Sequence, residues 1–558
     1  MLDGCTPWPP GEERRYQEAG LWNGSRLGDL LRPVSERAPD RIAVVAGAER
    51  ISYRDLDARV DALAAGLWEL GLRPRERVLV ALPNCIELLA VSVASFRVGL
   101  IPVYALASHR RHELEYLARH TDAAALVVPD RHQDFDFRAL AADLSDRVPT
   151  LAHALVVGEP GSLTALADVA AEPRPFPGPS PQEVAFMLLS GGTTGMPKLI
   201  PRTHDDYALQ LRLSAAAVGA TGETVYLAAL PVAHNAALGC PGALGTLALG
   251  GRVVLAGSPS PDEVFGLVAR ERPTVTTAMP AFLTLWGELA DAFGADLSGI
   301  VVEVGGARMD PDAALAAERR LGCTVTHWFG MAEGVLCCTR PGDPPEFAAH
   351  TQGRPVCEHD EFRVLDPDRR DVAPGEVGEL AVRGPMTLRG YYRAPEYNVR
   401  SFTSDGFLLT GDLVRFPPGG PLVVTGRAKD VINRGGEKVS PGELEDELRA
   451  HPAVRDVALV GYPDRVLGER VCAAVVADGN PPTLARLRRF LSDRGVAGYK
   501  LPDRLELLDA LPHTRLGKID RAAVRAGLAD RSGRGGPCCE QAESGPEPAD
   551  APTSTARV

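Results

Sequence analysis

Ser190-Gly-Gly-Thr-Thr-Gly-Met-Pro-Lys198 stands between two apolar runs, VAFMLL (184–189) and LIPRTH (199–204). Gly191, Gly192 and Gly195 free the backbone to wrap an anion with its N–H groups. Ser190, Thr193 and Thr194 add hydroxyl donors, and Lys198 supplies a point charge. The segment reads as a phosphate-binding loop. It is not a Walker A loop, because Met196 and Pro197 separate Gly195 from the lysine and Leu199 follows it.

That lysine is one of five, against 55 arginines, in a chain of 558 residues. Under so strong a bias toward arginine, a lysine persists where a compact, rotatable ammonium cannot be replaced by a planar fork. Lys198, Lys429, Lys438, Lys500 and Lys518 therefore mark places to inspect. The net charge of −13 argues against a nucleic-acid binder, and 45% hydrophobic residues argue against a disordered chain. No stretch offers about 20 uninterrupted apolar residues. The nearest, Ser92 to Ala107, contains Arg97 and Pro102 and reads as buried core. The acidic, proline-rich N-terminus carries no secretory pattern, so a cytoplasmic location without membrane contact is expected. Ten cysteines form no CxxC pair and read as reduced thiols.

Outward from the loop, ISYRDLDARVDALAAGLWELGL (51–72) places Leu56, Val60, Leu63, Leu67 and Leu70 at helical spacing, with Ser52 and Asp55 set as a capping box. Short apolar runs (RVLVAL, AALVV, VYLAAL, RVVLA, IVVEV, CTVTHWFG) alternate with helical stretches, as in parallel α/β layers. GELAVRG and GFLLTGDLVRF predict an antiparallel, β-rich part. The expected fold class is α/β, with a large N-terminal domain (1–426) of α/β layers plus that β-rich subdomain. A small, mobile C-terminal α+β domain (427–531) follows, with a helix after the Ser440 cap, strands in DVALVGY and RVCAAVVAD, and helices at TLARLRRFLSDRG and beyond Ile519. The tail, 532–558, is too rich in Gly, Pro, Ser and Glu to build a core and is expected to be disordered.

Five further motifs accompany the loop: Phe329-Gly-Met-Ala-Glu333, Leu409-Thr-Gly-Asp412, Gly426-Arg-Ala-Lys-Asp430, Asn433-Arg-Gly-Gly-Glu-Lys438 and Pro512-His-Thr-Arg-Leu-Gly-Lys518. Together and in this order they resemble the acyl-adenylate-forming superfamily of acyl-CoA synthetases, peptide-synthetase adenylation domains and luciferases. With Ala233-His-Asn235 and Gly305-Gly-Ala-Arg308, the chain is most similar to stand-alone aryl-acid ligases of the 2,3-dihydroxybenzoate- and salicylate-AMP type.

The resemblance implies ATP-dependent activation of an aromatic acid to an acyl-adenylate with release of pyrophosphate, then transfer to CoA or to the phosphopantetheine of a separate aryl carrier protein. Bringing a carboxylate against a polyanion requires charge neutralisation at both reacting ends. The resemblance assigns that to Lys518 as the catalytic lysine and to Mg²⁺ held by Glu333. It assigns His234 to placing the carboxylate, Asp412 and Arg427 to the ribose, and Gly306, Ala307, Arg308 and Phe329 to the nucleotide, with Trp328 beside it. Rotation about Asp430 would then bring the segment from Arg434 through Gly436 to Lys438 to a pantetheine tunnel. Lys429 belongs to the hinge, and Lys500 receives no role.

The acid pocket is expected from His234, Asn235, Ala236, Cys240, Gly305, Gly330, Leu336 and Cys338. Dihydroxybenzoate enzymes typically read HNYxxSSPG where this chain reads His234-Asn-Ala-Ala-Leu-Gly-Cys-Pro-Gly242, and GLVNYTR where it reads Gly334-Val-Leu-Cys-Cys-Thr-Arg340. Loss of two aromatic side chains and a hydroxyl points away from a catechol. It favours a bulkier 2-hydroxy aryl acid of naphthoate or quinoline type. Salicylate loaded onto a carrier protein is the alternative. A luciferase-like oxidation, a silent aryl-acid or nucleotide sensor and a metal–thiolate protein are the competing classes. Retention of Lys518 and Glu333 argues against the sensor, and unspaced cysteine pairs argue against zinc.

Overall fold

A computed structural model describes residues 2–190, 196–306, 309, 311–366, 368–427, 432–439, 441–512 and 521–533. Among them, the alternating pattern builds two large sheets. The first has nine strands, of which six are consecutive and parallel: Thr324–Gly330, Val301–Gly305, Val275–Ala278, Val225–Ala228, Arg252–Leu255 and Ile42–Ala46. Short antiparallel strands close both edges. The second has seven strands, parallel except where Val184–Leu189 pairs with its hairpin partner Leu199–Thr203.

Side chains alternate across each strand, so every strand feeds two cores. Val44, Val78, Val80, Tyr226 and Val253 point into the largest core, shared with the helices Tyr53–Glu69, Ile86–Val98 and Gly242–Leu249 between the sheets. Val45, Leu227, Val254, Val302 and Val304 face the opposite way, onto Pro261–Glu271, Pro280–Phe293 and Pro311–Leu321. Leu79, Val103, Leu126 and Val128 likewise meet Arg111–Thr121 and Phe137–Arg147 on the outer face of the second sheet. The result is five alternating layers.

Helix Tyr53–Glu69 buries Leu56, Val60, Leu63 and Leu67 as the spacing predicts, and Leu70 becomes its C-cap. Only half of the expected capping box forms. Ser52 Oγ accepts the Asp55 N–H at 3.1 Å, but the Asp55 carboxylate takes the Ser52 hydroxyl at 2.6 Å in place of a backbone donor. The Ser92–Ala107 stretch splits into the buried helix Ile86–Val98 and the buried strand Ile101–Tyr104. Arg97 is buried there against Asp57 and Asp61. No helix among the described residues is long and apolar enough to cross a membrane.

The β-rich part is a four-stranded antiparallel sheet, Glu361–Leu365, Gly378–Arg383, Leu408–Arg415 and Val423–Arg427. Beyond it, Val454–Asp464 and Gly468–Ala477 form a long antiparallel pair. One face, carrying Val457, Leu459, Val471 and Val475, packs on helices Pro441–Arg449 and Leu484–Asp493. The other, carrying Ala458, Val460, Cys472 and Ala474, packs on Val524 and Leu528 of the last helix, Arg521–Gly533. That helix runs past the expected limit at 531, and residues 534–558 lie outside the described set.

Candidate active site

Residues at the carboxyl ends of the parallel strands converge on a cavity of about 520 Å³, the place where open α/β sheets bind ligands. Leu189 and Ser190, Ala278 and Met279, Gly305 and Gly306, and Gly330 each enter it from the end of a different strand. Leu408 to Asp412 of the four-stranded sheet form another wall. Gly435 to Glu437, Tyr499 and Lys500 of the C-terminal unit close the remaining side.

The phosphate loop springs from a hairpin. Ser190 N–H donates to the Lys198 carbonyl at 2.8 Å, which pinches the two ends of the segment together. Lys198 Nζ stands 3.7 Å above the Tyr397 ring, within cation–π range. Asp412 lines the cavity from the strand opposite Arg427 in register. Glu333 lines it too, and its Oε1 accepts the Tyr391 hydroxyl at 2.9 Å. One carboxylate beside a phosphate loop fits Mg²⁺, which takes one or two carboxylates together with substrate phosphates. The described residues hold no group of three or more metal-binding side chains.

Trp328 and Phe329 point to opposite sides of their strand. Trp328 lines the cavity, whereas Phe329 is partly buried against the main core. Gly191, Gly192, Thr193, Thr194, Gly195, Ala307, Arg308, Lys429, Asp430 and Lys518 lie outside the described residues, and of Arg427 and Lys438 only the backbone is described.

His234, Asn235, Ala236, Cys240, Gly305, Gly330 and Leu336, the residues expected around the acid, all line the cavity. Cys338 differs: it is wholly buried one layer behind, beside Trp328, Cys240 and Leu336, with Arg340 donating to its sulfur. Burial pushes its thiol up to about 12, so it is an uncharged wall atom.

A polar relay that sequence reading missed fixes the Asn235 amide. Arg202 is fully buried and can only donate, and its Nη1 gives Gln210 Oε1 a hydrogen bond of 3.0 Å. Gln210 Nε2 must then donate, and does so to Asn235 Oδ1 (3.1 Å) and the Gly239 carbonyl (2.9 Å). Tyr207, whose hydroxyl burial raises far above its ordinary range, also donates to Asn235 Oδ1 at 3.0 Å. With Oδ1 doubly occupied, Asn235 carries its two donors on Nδ2, which lies 3.6 Å from Cys240 Sγ at the cavity wall, and no amide flip is compatible with the arginine at the start of this relay. The available signal was Tyr207 and Gln210, polar residues three apart on one face of a buried helix.

The C-terminal unit meets this rim where Asn433 Nδ2 donates to the Gly306 carbonyl at 2.9 Å and where His234 Nε2 lies 3.4 Å from Glu437 Oε1. Met279 sits between the glycine turns of the two units. A Cβ on Gly306 or Gly436 would stand 2.5 or 2.1 Å from its methyl, and both glycines have positive φ, +81° and +91°. Lys500 is buried with its Nζ 3.4 Å from Glu113 Oε1. Beside them, Leu106 N–H donates to His109 Nδ1 at 3.2 Å, leaving Nε2 toward the Tyr499 hydroxyl at 3.5 Å. Burial pushes His109 down to about 4. Burial alone would raise Glu113, but Lys500, His109 and backbone N–H groups together hold it below the ordinary carboxylate value.

The sequence profile of the AMP-binding enzyme family matches residues 31–392, and that of the AMP-binding enzyme C-terminal domain matches 443–518. The chain belongs to this family. As an AMP-binding enzyme it is 47% identical over 532 residues to the 2,3-dihydroxybenzoate-AMP ligase of Bacillus subtilis, covering 95% of this chain and 99% of that one. It is 45% identical over 540 residues to the 2-hydroxy-7-methoxy-5-methyl-1-naphthoate–CoA ligase of Streptomyces carzinostaticus, covering 94% and 97%. The apo structure of Mycobacterium smegmatis MbtA superposes with a TM-score of 0.73 at 42% identity, covering 94% of this AMP-binding enzyme and 98% of that chain. The bilobed adenylate-forming fold expected from the motifs is therefore the family's own.

Proposed function

We propose that this enzyme activates a 2-hydroxy aryl acid larger than a catechol acid, with ATP and Mg²⁺, to an aryl-adenylate and pyrophosphate, and passes the aryl group to a pantetheine thiol. One observation carries the reading: the phosphate hairpin, Glu333, Asp412 and the Asn235–Ala236–Cys240 wall all open into one cavity. Both relatives named above act, by name, on ortho-hydroxylated aryl acids, one of them bicyclic.

In this reading the carboxylate lies near His234, its ortho oxygen accepts from Asn235 N–H, and the ring runs over Ala236 toward Trp328. Glu333 would hold Mg²⁺, which neutralises phosphate charge during attack. Lys518 bridges the carboxylate oxygen and the α-phosphate as charge passes to pyrophosphate. Small side chains at Ala236 and Cys240 leave room for a second ring, and the buried thiols offer no partner for a catechol's second hydroxyl. The Gly435–Glu437 turn at the cavity supports a thiol-transfer arrangement of the C-terminal unit, in which a pantetheine arm approaches from that side. CoA and a carrier-borne phosphopantetheine present the same thiol.

ATP–pyrophosphate exchange across salicylate, 2,3-dihydroxybenzoate and hydroxynaphthoates tests the substrate, with Lys518→Ala as control. A hydroxynaphthoate should give the highest kcat/KM, and the variant should lose exchange by about a hundredfold or more. Clear preference for salicylate would replace the bicyclic reading with the salicylate one, and full activity in the variant would remove Lys518 from the adenylation step. Mass spectrometry with CoA and a carrier protein offered separately identifies the acceptor.

A further inference from the structure

The floor of the acid pocket holds a carboxyl group that the adenylation chemistry does not use. Glu303 lies on the strand Val301–Gly305, whose neighbours Val302 and Val304 point into the core beneath. Strand alternation turns Glu303 the other way, to the cavity, where it joins Thr277, Asn235, Cys240 and Trp328 in the lining. It is only 1% exposed. Parallel register sets it opposite Thr277, whose hydroxyl donates to Glu303 Oε2 at 2.8 Å. Thr277 Oγ1 in turn lies 2.8 Å from the Tyr226 hydroxyl, which must donate because the threonine proton is already committed. The other carboxyl oxygen, Oε1, has no hydrogen-bond partner among the described residues.

We propose that Glu303 is a specificity-determining residue whose Oε1 hydroxyl donates a hydrogen bond to an acceptor on the ring of the aryl acid, beyond the ortho oxygen read by Asn235. This rests on the activation of a bicyclic aryl acid proposed above and adds a second polar substituent to that substrate. Three observations converge on it. The group is buried, it borders the cavity, and half of its hydrogen-bonding capacity is unused. Buried polar atoms are almost always paired, so an unpaired one in a ligand pocket marks the place where the ligand completes the set. The direction of the bond follows from the relay. With Thr277 donating to Oε2, that oxygen acts as the carbonyl-type oxygen and the acid proton is left for Oε1. Burial, only partly relieved by the Thr277 bond, keeps this carboxyl well above the usual carboxylate range and so uncharged. Glu303 and the fixed Asn235 amide then both offer donors. The ring edge that meets them carries acceptors, such as a hydroxyl or methoxy oxygen, a carbonyl oxygen or an unprotonated ring nitrogen, and an arylamine, whose N–H groups donate and whose lone pair is drawn into the ring, is disfavoured.

The test measures ATP–pyrophosphate exchange with 3-hydroxy-2-naphthoate and with its analogues bearing a second hydroxyl, methoxy or amino group at successive ring positions. Wild type, Glu303→Gln and Glu303→Leu are compared. Gln can accept from Thr277 and still donate through its amide, whereas Leu can do neither. The expected result is one position at which hydroxyl and methoxy, but not amino, raise kcat/KM by about tenfold or more, chiefly through KM. Glu303→Gln keeps most of that advantage and Glu303→Leu loses it. Melting curves and calorimetric ATP binding check that both variants are folded. Unchanged ring preference in folded Glu303→Leu overturns the role of Glu303 while aryl-acid activation stands. Absence of exchange with every acid in the wild type removes both.

Discussion

Arg97 shows how much one side chain can contradict its surroundings. It interrupts the most apolar stretch of the chain, yet its guanidinium is buried, donating to the Gly28 carbonyl and pairing with Asp57 and Asp61. Truncation would remove the buried cation and leave Asp57 and Asp61 only the half-exposed Arg32, 3.0 Å from Asp61 and 4.0 Å from Asp57. We expect Arg97→Ala to destabilise the large domain by about 3–5 kcal/mol, seen as a lowered midpoint in denaturant titration. A change within about 1 kcal/mol, the size of an exposed pair, would show that solvent reaches the site. The phosphate loop was legible at this scale because glycine, hydroxyl and lysine stand together in sequence. Glu303 and the Arg202–Gln210–Asn235 relay were not, because Thr277 and Glu303 meet only through strand register and Arg202 reaches Asn235 only through a helix face. Lys500 likewise finds Glu113 across 387 positions of sequence.

Strands and helices were read well wherever one pattern served one face. The small-domain strands split their side chains between two helix layers, and the six parallel strands follow the apolar runs of the sequence. Expectations failed where geometry at an element's end decides. The Ser52–Asp55 cap closes through side chains. The turn after Thr324–Gly330 carries a sharper constraint. Gly334 has φ +108°, and a Cβ there would come within 1.7 Å of the Met386 carbonyl oxygen, a backbone atom that cannot step aside. The same turn is held by the Leu388 N–H on the Glu333 carbonyl at 2.8 Å. Gly334→Ala should therefore lower the melting temperature and, by displacing Glu333, reduce kcat of pyrophosphate exchange. Titrating Mg²⁺ should show a raised requirement, and a variant with wild-type Mg²⁺ dependence would mean that the turn does not position Glu333.

For the whole molecule, the contacts between the C-terminal unit and the large domain are polar and titratable. His109 is held at about 4 against an ordinary 6.5, and Glu113 and Glu437 are held below their ordinary carboxylate value. All three are depressed in the docked structure, so their contribution is complete above the free values and is lost on acidification. His109 sets the first window, between pH 6.5 and about 4, where the separated state takes up the proton and the docked one resists. A fluorophore pair spanning the two units should report loosening through that window, and His109→Gln should flatten its upper part. A docked signal constant from pH 7 to pH 4.5 would place the adhesion elsewhere. The bilobed organisation was legible from motif order; the adhesion was not, since it depends on residues from opposite ends of the chain.

The acid pocket takes its shape from residues just past the ends of parallel strands, while the strands themselves are anchored in cores on both faces. Ala236, which lines the cavity outside the hydrophobic cores, can change volume with little effect on the packing that folds the chain. Substrate range in such an architecture is open to gradual drift through neutral intermediates, and a population of these enzymes could explore new aromatic acids long before any of them lost the ability to fold.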